Sequence, residues 1–145
     1  RGIDTFYKER YQVSAQTDRM GCRFDGPQIE SSRGSDIISD GIALGSIQIP
    51  AQGTPIVMLA DRQTTGGYAK IATVASVDIP LLVQRATKQY VQFKPVSIIE
   101  AQRLLVAERD YYRNVRANAR GRLTLEMPCI EPNDHAGEPT MPPVE

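Results

Sequence analysis

Short runs of hydrophobic residues, separated by turn-forming residues, fill the first half of the chain. Four such runs occupy residues 11–14, 21–26, 36–42 and 46–50. Two further runs, at 55–60 and 70–77, are rich in β-branched residues and carry few charges, so we expect them to form central strands. Short strands at this spacing are typical of an all-β sandwich or barrel.

After these strands the pattern indicates one short helix and one more strand. Asp78 as N-cap and Pro80 near the first turn predict a helix over residues 78–84. Apolar and polar residues then alternate over 89–95, which predicts a last strand that ends at Pro95.

The spacing of apolar residues becomes helical beyond this point. Ser97 is followed three residues later by Glu100, which is a capping-box signature for the start of a helix. Apolar residues then recur at near-helical spacing with arginine and glutamate between them. We predict a C-terminal helix from about residue 97 to about residue 117.

Length and proline content suggest one domain and a tail. The chain has 145 residues, which suits a single domain over residues 1–120. Five of the ten prolines lie within residues 127–145. A segment so rich in proline cannot hold a regular strand ladder, so we expect residues 121–145 to form a disordered tail. The sequence opens on Arg1 rather than methionine, which suggests a piece of a longer chain.

Charge and cysteine content argue against several classes of partner. Seventeen Lys and Arg balance seventeen Asp and Glu, which gives no reason to expect nucleic acid or an anionic membrane as a partner. Cys22 and Cys129 are far apart and His135 is the only histidine, so no disulfide or metal framework is indicated. We assign catalysis to neither Cys22 nor His135. No apolar run approaches the roughly 20 residues of a membrane span, and we expect a cytoplasmic protein.

The stretch DRQTTGGY, at residues 61–68 between two predicted strands, has two interpretations. As a hairpin turn it needs only Gly66 and Gly67, because glycine adopts positive φ without steric cost. As a binding loop it brings hydroxyl groups, an amide and free backbone N–H groups to one place. The polar side chains concerned are Gln63, Thr64, Thr65 and Tyr68. The residues alone favour neither interpretation, and the pattern is not a phosphate-binding or dinucleotide-binding motif.

Two other stretches offer polar groups. Asp18 and Arg19 are adjacent, and such a pair is usually a solvated surface pair. If their loop faces a pocket, Arg19 offers a bidentate fork to a carboxylate and Asp18 offers an acceptor or base. Gln48 lies in a predicted strand, where it points away from its two isoleucine neighbours, into solvent or into a lumen. Asp40 is expected to form a turn.

Taken together, three long segments resemble the C-terminal half of a bacterial protein family. They cover residues 11–26, 37–84 and 91–105, and they include the motifs TDRMG at 17–21 and DRQTTGGY at 61–68. The family is the biotin-dependent carboxyltransferase (subdomain A/B) family. It includes the 5-oxoprolinase C subunit, also called allophanate hydrolase subunit 2 or KipA protein, and the carboxyltransferase region of urea carboxylase.

The resemblance implies a mainly β fold, a cyclophilin-like closed β-barrel with a C-terminal α-helix. It implies an enzyme that works as part of a complex, in which A-subunit-like and B-subunit-like (KipI-like) proteins help to open 5-oxoproline to L-glutamate. The complex would use ATP, and this chain would bind no cofactor. The predicted catalytic residues are Asp18, Thr65 and Tyr68, and the predicted substrate-binding residues are Arg19, Gln48, Gln63, Thr64, Gly66 and Gly67.

Two other functions stay open at this point. The first is a carboxyltransferase that moves a carboxyl group from carboxybiotin to urea or a related amide, and only this alternative involves biotin. The second is a regulatory module of a KipI–KipA-like pair, tied to control of a sporulation kinase.

The sequence departs from the family pattern in three places. Ala69 follows Tyr68 where the family usually has proline, and the turn before the strand at 89–95 is altered. The N-terminal half of the family is missing. If the family site lies between the two halves, this chain carries only part of it. We still expect a complete barrel, because six or more strand candidates suffice to close one.

Overall fold

The computed structural model describes residues 2–30 and 36–119. The helices are α1 (Gly2–Lys8), α2 (Ile79–Val83) and α3 (Ile98–Asn118), and a 3₁₀ turn covers Ser76–Asp78. The strands are β1 (Tyr11–Val13), β2 (Gly21–Asp25), β3 (Asp36–Gly41), β4 (Ser46–Ile49), β5 (Ile56–Met58), β6 (Thr65–Thr73) and β7 (Tyr90–Val91). Most strands coincide with the predicted runs, because alternation with β-branched residues is a strong strand signal.

The seven strands form one sheet in the order β3-β6-β4-β5-β2-β1-β7, and every pairing is antiparallel. This confirms a mainly antiparallel sheet with a C-terminal helix. In the part of the chain that the structure describes, β3 and β7 lie at opposite ends of the strand order and do not pair. The sheet is therefore open as described, and the predicted closed barrel is not confirmed.

The start of β6 corrects one interpretation of DRQTTGGY. The turn after β5 ends before Thr65, so Gly66 and Gly67 are strand residues paired alongside β3. In the described residues the glycines with positive φ are Gly45 and Gly53. The hairpin-turn explanation of Gly66 and Gly67 was therefore wrong, and these two glycines need another reason.

Helix α1 and strand β7 also differ from the prediction. Helix α1 was not anticipated, and it buries Phe6. Strand β7 is shorter than the predicted strand over 89–95, because the chain leaves the sheet at Gln92. The Gln92 side-chain Nε2 donates to the carbonyl oxygens of Tyr7 and Lys8, both at 3.2 Å. This segment therefore satisfies the free carbonyl groups at the end of α1.

The hydrophobic core lies on one face of the sheet, here called the core face. Cys22, Ile47 and Val57 occupy facing positions on β2, β4 and β5 and are almost fully buried. Phe6 from α1 stacks on Phe93 with ring centroids 4.7 Å apart. The residues that alternate with the core positions point to the opposite face.

That opposite face is here called the cavity face. On the three central strands it carries Gly21, Arg23, Gln48, Ile56 and Met58. Side chains alternate between the two faces of a strand, so burial of the core face fixes which residues reach the cavity face.

The chain divides into two compact units, Arg1–Glu108 and Arg109–Glu145. Helix α3 begins close to the predicted residue, and the Ser97 hydroxyl accepts the Glu100 backbone N–H at 3.1 Å as the capping signature predicts. The predicted tail, 121–145, lies outside the described residues. No helix in the described ranges is long and apolar enough to cross a membrane.

Candidate functional site

The two motifs that stand out in the sequence lie side by side in the structure. The backbone N–H of Leu59 donates to the Met20 carbonyl at 2.9 Å, and that of Asp61 donates to the Arg19 carbonyl at 3.0 Å. The Arg19 guanidinium also pairs with the Asp61 carboxylate, at 3.0 Å from Nε and 3.3 Å from Nη2. The TDRMG and DRQTTGGY segments therefore continue the β2–β5 pairing beyond the strand ends.

Asp18 shapes the turn that precedes β2. Its Oδ1 accepts the backbone N–H groups of Met20 at 2.8 Å and Gly21 at 3.0 Å. Short polar side chains commonly stabilise turns in this way. The structure places the Asp18 carboxylate in this turn. Its role as acid or base remains a prediction.

A cavity of about 670 Å³ lies against the cavity face of the sheet. Ile37 and Ile42, from β3 and the segment after it, line its other side together with Tyr68 of β6. This volume is within the range of small-molecule sites, which combine apolar walls with a few convergent polar groups. We call it the Gln48 cavity, after the most buried polar side chain in its wall.

Gln48 is 4 % exposed and lines this cavity. Of its two alternative directions in the predicted strand, it takes the one toward the interior. Its Nε2 is buried and has no hydrogen-bond partner among the described residues. A buried donor left unsatisfied costs about 1–3 kcal/mol, so this N–H₂ group is available for an acceptor inside the cavity.

Gly66 keeps the space beside Gln48 open. A Cβ at this position would lie 2.6 Å from Ile42 Cδ1 and 3.2 Å from Gln48 Nε2. Both distances are too short for an undisturbed contact. The reason for glycine here is therefore close approach within the cavity wall rather than a turn.

The nine predicted site residues divide into two groups. Those that line the Gln48 cavity are Gln48, Gln63, Gly66, Gly67 and Tyr68. Those outside its lining are Asp18, Arg19, Thr64 and Thr65. Thr64 and Thr65 are exposed, and the Thr64 carbonyl accepts the Ile42 backbone N–H at 2.9 Å. Thr64 thereby helps to hold Ile42 in place beside the cavity.

Arg23 and Gln52 also line the cavity, although no sequence pattern singled them out. Alternation along β2 could have identified Arg23, because its apolar neighbours Cys22 and Phe24 point to the core face and Arg23 must then point to the cavity face.

Arg62, within DRQTTGGY, has a structural role. Its guanidinium donates to the carbonyl oxygens of Ile42 at 3.0 Å and Leu59 at 3.3 Å.

An ion pair next to the cavity fastens β3 to β6. Lys70 Nζ donates to Asp40 Oδ2 and, at 2.6 Å, to the Gly41 carbonyl. The hydrogen bond from Lys70 holds the pKa of the Asp40 carboxyl below its usual range, and the Gly41 backbone N–H adds to this effect. Asp40 was predicted to form a turn, and this was wrong because it lies in β3 opposite Gly66.

Other candidate chemistry is weaker. A second cavity of about 700 Å³, lined by parts of α1, α2, β6 and the segment after β7, contains none of the predicted site residues. Burial raises the pKa of the Cys22 thiol, which disfavours a nucleophilic thiolate. Within residues 2–30 and 36–119, no three His, Cys, Asp or Glu side chains are placed to hold a metal ion.

Comparison with known proteins identifies relatives of the chain. It is 36% identical over 111 residues to the C subunit of 5-oxoprolinase from Haemophilus influenzae. The aligned region covers 77% of this chain and 36% of that protein. It is 33% identical over 112 residues to the C subunit of 5-oxoprolinase from Escherichia coli K12, with the same two shares. The chain therefore spans about a third of the length of these relatives.

The fold is also found in a solved structure. The urea carboxylase of Kluyveromyces lactis matches with a TM-score of 0.70 and 23% identity, over 77% of this chain and 10% of that protein. Finally, residues 1–95 match the family model described as carboxyltransferase domain, subdomain A and B. The chain belongs to this carboxyltransferase domain family.

Proposed function

We propose that the chain is part of the C subunit of an ATP-dependent 5-oxoprolinase, and that the Gln48 cavity binds the 5-oxoproline ring. The observation that carries this proposal is the unsatisfied Nε2 donor of Gln48, buried in a cavity that the sequence motif at 61–68 helps to line. The relatives named as 5-oxoprolinase C subunits support the choice of substrate.

The chemistry of 5-oxoproline suits this donor. Opening the lactam adds water across the C–N bond and yields L-glutamate, and negative charge develops on the carbonyl oxygen as the bond is attacked. A donor already in place, such as Gln48 Nε2, stabilises that charge without reorganisation. Tyr68, which is 42% exposed and lines the cavity, is the candidate donor to the departing nitrogen.

The remaining functions belong to the rest of the assembly in this scheme. This chain covers about a third of its relatives, so other parts of the protein and A-subunit-like and B-subunit-like (KipI-like) partners complete the site. ATP is used by the complex, and this chain binds none of it. Asp18 and Thr65 would take part in catalysis only through contacts made by those other parts.

The test is ATP-dependent release of glutamate from 5-oxoproline by the complete protein with its partner proteins. In Gln48→Leu we expect kcat/KM to fall roughly 5- to 150-fold, the equivalent of one buried hydrogen bond. The same variant should fold as stably as the wild type or more so, because it removes a buried unsatisfied group. Gln84→Leu, the same change at an exposed position outside the cavity lining, is the control and should keep most of the activity.

Two results would contradict the proposal. One is a wild-type complex that hydrolyses no 5-oxoproline, and the other is Gln48→Leu with unchanged kcat/KM. Binding of a KipI-like partner together with a histidine kinase, without turnover, would favour the regulatory alternative instead.

A second candidate function is carboxyl transfer to urea or a related amide. It is favoured by the family description and by the glutamines of the cavity, Gln48, Gln52 and Gln63. Their amides offer both donors and acceptors, which match a ureido group such as that of biotin. When bound, carboxybiotin would supply the carboxyl group. Urea-dependent loss of carboxyl from carboxybiotin, with no glutamate formed from 5-oxoproline, would support this function.

A further inference from the structure

We propose that Arg23 binds the carboxylate of the ligand in the Gln48 cavity and sets its specificity for small carboxylates that also carry an amide carbonyl. This inference rests on the proposed function and adds to it the residue that recognises the acid group. Arg23 thereby replaces Arg19, which the sequence suggested as the residue that binds a carboxylate. Strand register, charge and burial support it.

The register places Arg23 and Gln48 in one row across the sheet. Arg23 of β2 and Gln48 of β4 both lie opposite Ile56 of β5, one on each side. Directly opposed residues share a face, and neighbouring strands lie about 4.8 Å apart. The Cα atoms of Arg23 and Gln48 are therefore separated by roughly 10 Å. A small ligand lying over Ile56 can reach both side chains.

Charge singles out Arg23 within this cavity. It is the one charged residue among the described residues that line the cavity, and no aspartate or glutamate of the described ranges lines it. No described carboxylate forms an ion pair with its guanidinium. An arginine without a partner, beside apolar Ile56 and Met58, is suited to bind an anion, and its fork matches the two oxygens of a carboxylate.

The other arginines near the site already have partners. Arg19 forms two contacts with Asp61, and Arg62 donates to two backbone carbonyl oxygens. Neither lines the cavity. Among the described arginines near the cavity, Arg23 is therefore the one available for a ligand.

Gln48 adds an independent requirement for the other end of the ligand. Gln48 lines the cavity, and its Nε2 is buried and unsatisfied by any described residue. It therefore calls for a neutral acceptor such as an amide oxygen. A ligand with a carboxylate at one end and an amide carbonyl at the other satisfies both groups, and the ring of 5-oxoproline carries both.

The test compares two lactams that differ only in the carboxylate. Binding of 5-oxoproline and of 2-pyrrolidinone to the full-length protein, assembled with its partner proteins, is measured by titration calorimetry. We expect wild type to prefer 5-oxoproline by at least about tenfold. Arg23→Gln should remove this preference and leave the affinity for 2-pyrrolidinone unchanged. Arg23→Lys, which keeps the charge but loses the fork, should retain part of it.

Arg19→Gln is the matched control, since it removes an arginine four residues away that lies outside the cavity. It should keep the full preference. Arg23 is exposed and has no ion pair in the described part of the chain, so Arg23→Gln should melt at the same temperature as wild type. In the assembled enzyme its main effect should be a higher KM for 5-oxoproline rather than a lower kcat.

The outcomes separate this inference from the proposed function. If wild type prefers 5-oxoproline and Arg23→Gln keeps that preference, the part assigned to Arg23 is wrong and the proposed function stands. If wild type binds neither lactam, the proposed function fails, and N-acetylglycine becomes the probe for Arg23. Binding of N-acetylglycine that Arg23→Gln abolishes would still support the inference, whereas binding that it leaves unchanged, or no binding at all, would overturn it.

Discussion

Single residues around Gln48 determine how much space the cavity offers. Gly66 lies on β6 and Gln48 on the neighbouring strand β4. The absence of a side chain at Gly66 leaves room for the ends of Ile42 and Gln48. The size of the cavity therefore depends on a missing Cβ as well as on the residues present.

Gly66→Ala should reduce binding far more than stability. The new methyl group would lie 2.6 Å from Ile42 Cδ1 and 3.2 Å from Gln48 Nε2, so the ends of two side chains that line the cavity would have to shift. We expect affinity for 5-oxoproline to fall at least about tenfold, and the free energy of unfolding to change by about 1 kcal/mol or less. Calorimetry and urea unfolding measure the two quantities.

Gly41→Ala is the control for this variant. Apart from its two chain neighbours, no described residue has a heavy atom within 4 Å of where a Cβ at Gly41 would lie. Both affinity and stability should therefore stay at the wild-type values. Equal affinities for the two variants would show that the space beside Gln48 is not used by the ligand.

At the level of the elements, one side-chain contact holds β3 to the sheet. It joins the sheet through β6 alone, and its register with β6 shifts between Asp36 and Asp40. Lys70 holds β3 at this irregular pairing through Asp40 and the Gly41 carbonyl. Since Ile37 of β3 lines the Gln48 cavity, this contact also positions part of the cavity wall.

The contact between Lys70 and Asp40 should weaken in acid. Lys70 lowers the pKa of Asp40 from its ordinary value of 3.8, so the folded state binds a proton less readily than the unfolded state. The stabilisation is therefore present at neutral pH and is lost as the pH falls through the lowered pKa. We expect Asp40→Asn to speed amide exchange in β3 at about pH 6, and this effect to shrink as the pH falls through the lowered pKa of Asp40.

Lys70→Met serves as the partner variant. It should speed exchange in β3 at about pH 6 at least as much as Asp40→Asn does, because it also removes the hydrogen bond to the Gly41 carbonyl. The double variant should add nothing to the effect of Lys70→Met. If the amides of β3 in Asp40→Asn exchange as slowly as in the wild type at that pH, backbone pairing alone holds the strand.

Across the larger unit, Arg1–Glu108, an aromatic cluster joins α1 and the segment after β7 to the sheet. Phe6 of α1 stacks on Phe93 at 4.7 Å, and Phe24 of β2 contacts Phe93 edge to face at 5.6 Å. Phe6 and Phe24 are almost fully buried. The core of this unit therefore requires α1 and the segment after β7 together.

Phe6→Ala should destabilise the whole of this unit. Removal of a fully buried phenylalanine typically costs about 3–5 kcal/mol, a large share of the stability of an ordinary domain. Urea unfolding should show this loss in a single shifted transition. Ile3→Ala, in the same helix at a position that is 61% exposed, should leave the midpoint unchanged. A loss below about 1 kcal/mol for Phe6→Ala would show that α1 is not part of the core.

The sequence alone determined the strands, the C-terminal helix and the family. Alternation and β-branched residues located the strands, because the backbone turns successive side chains to opposite faces. The capping signature located the start of α3, since it depends only on residues close in sequence. DRQTTGGY by itself left a turn and a polar site equally open, and four of its residues, Gln63, Gly66, Gly67 and Tyr68, line the cavity.

Tertiary structure decided which arginine faces that cavity and why Gly66 is glycine. Arg19 pairs with Asp61, 42 positions away in the chain. Arg23 and Gln48 lie in one row of the same face only because β2, β5 and β4 are neighbours in the sheet. Local sequence patterns do not specify strand order. Alternation shows that Arg23 and Gln48 lie opposite their apolar neighbours, whereas only the packed sheet shows that they share one cavity.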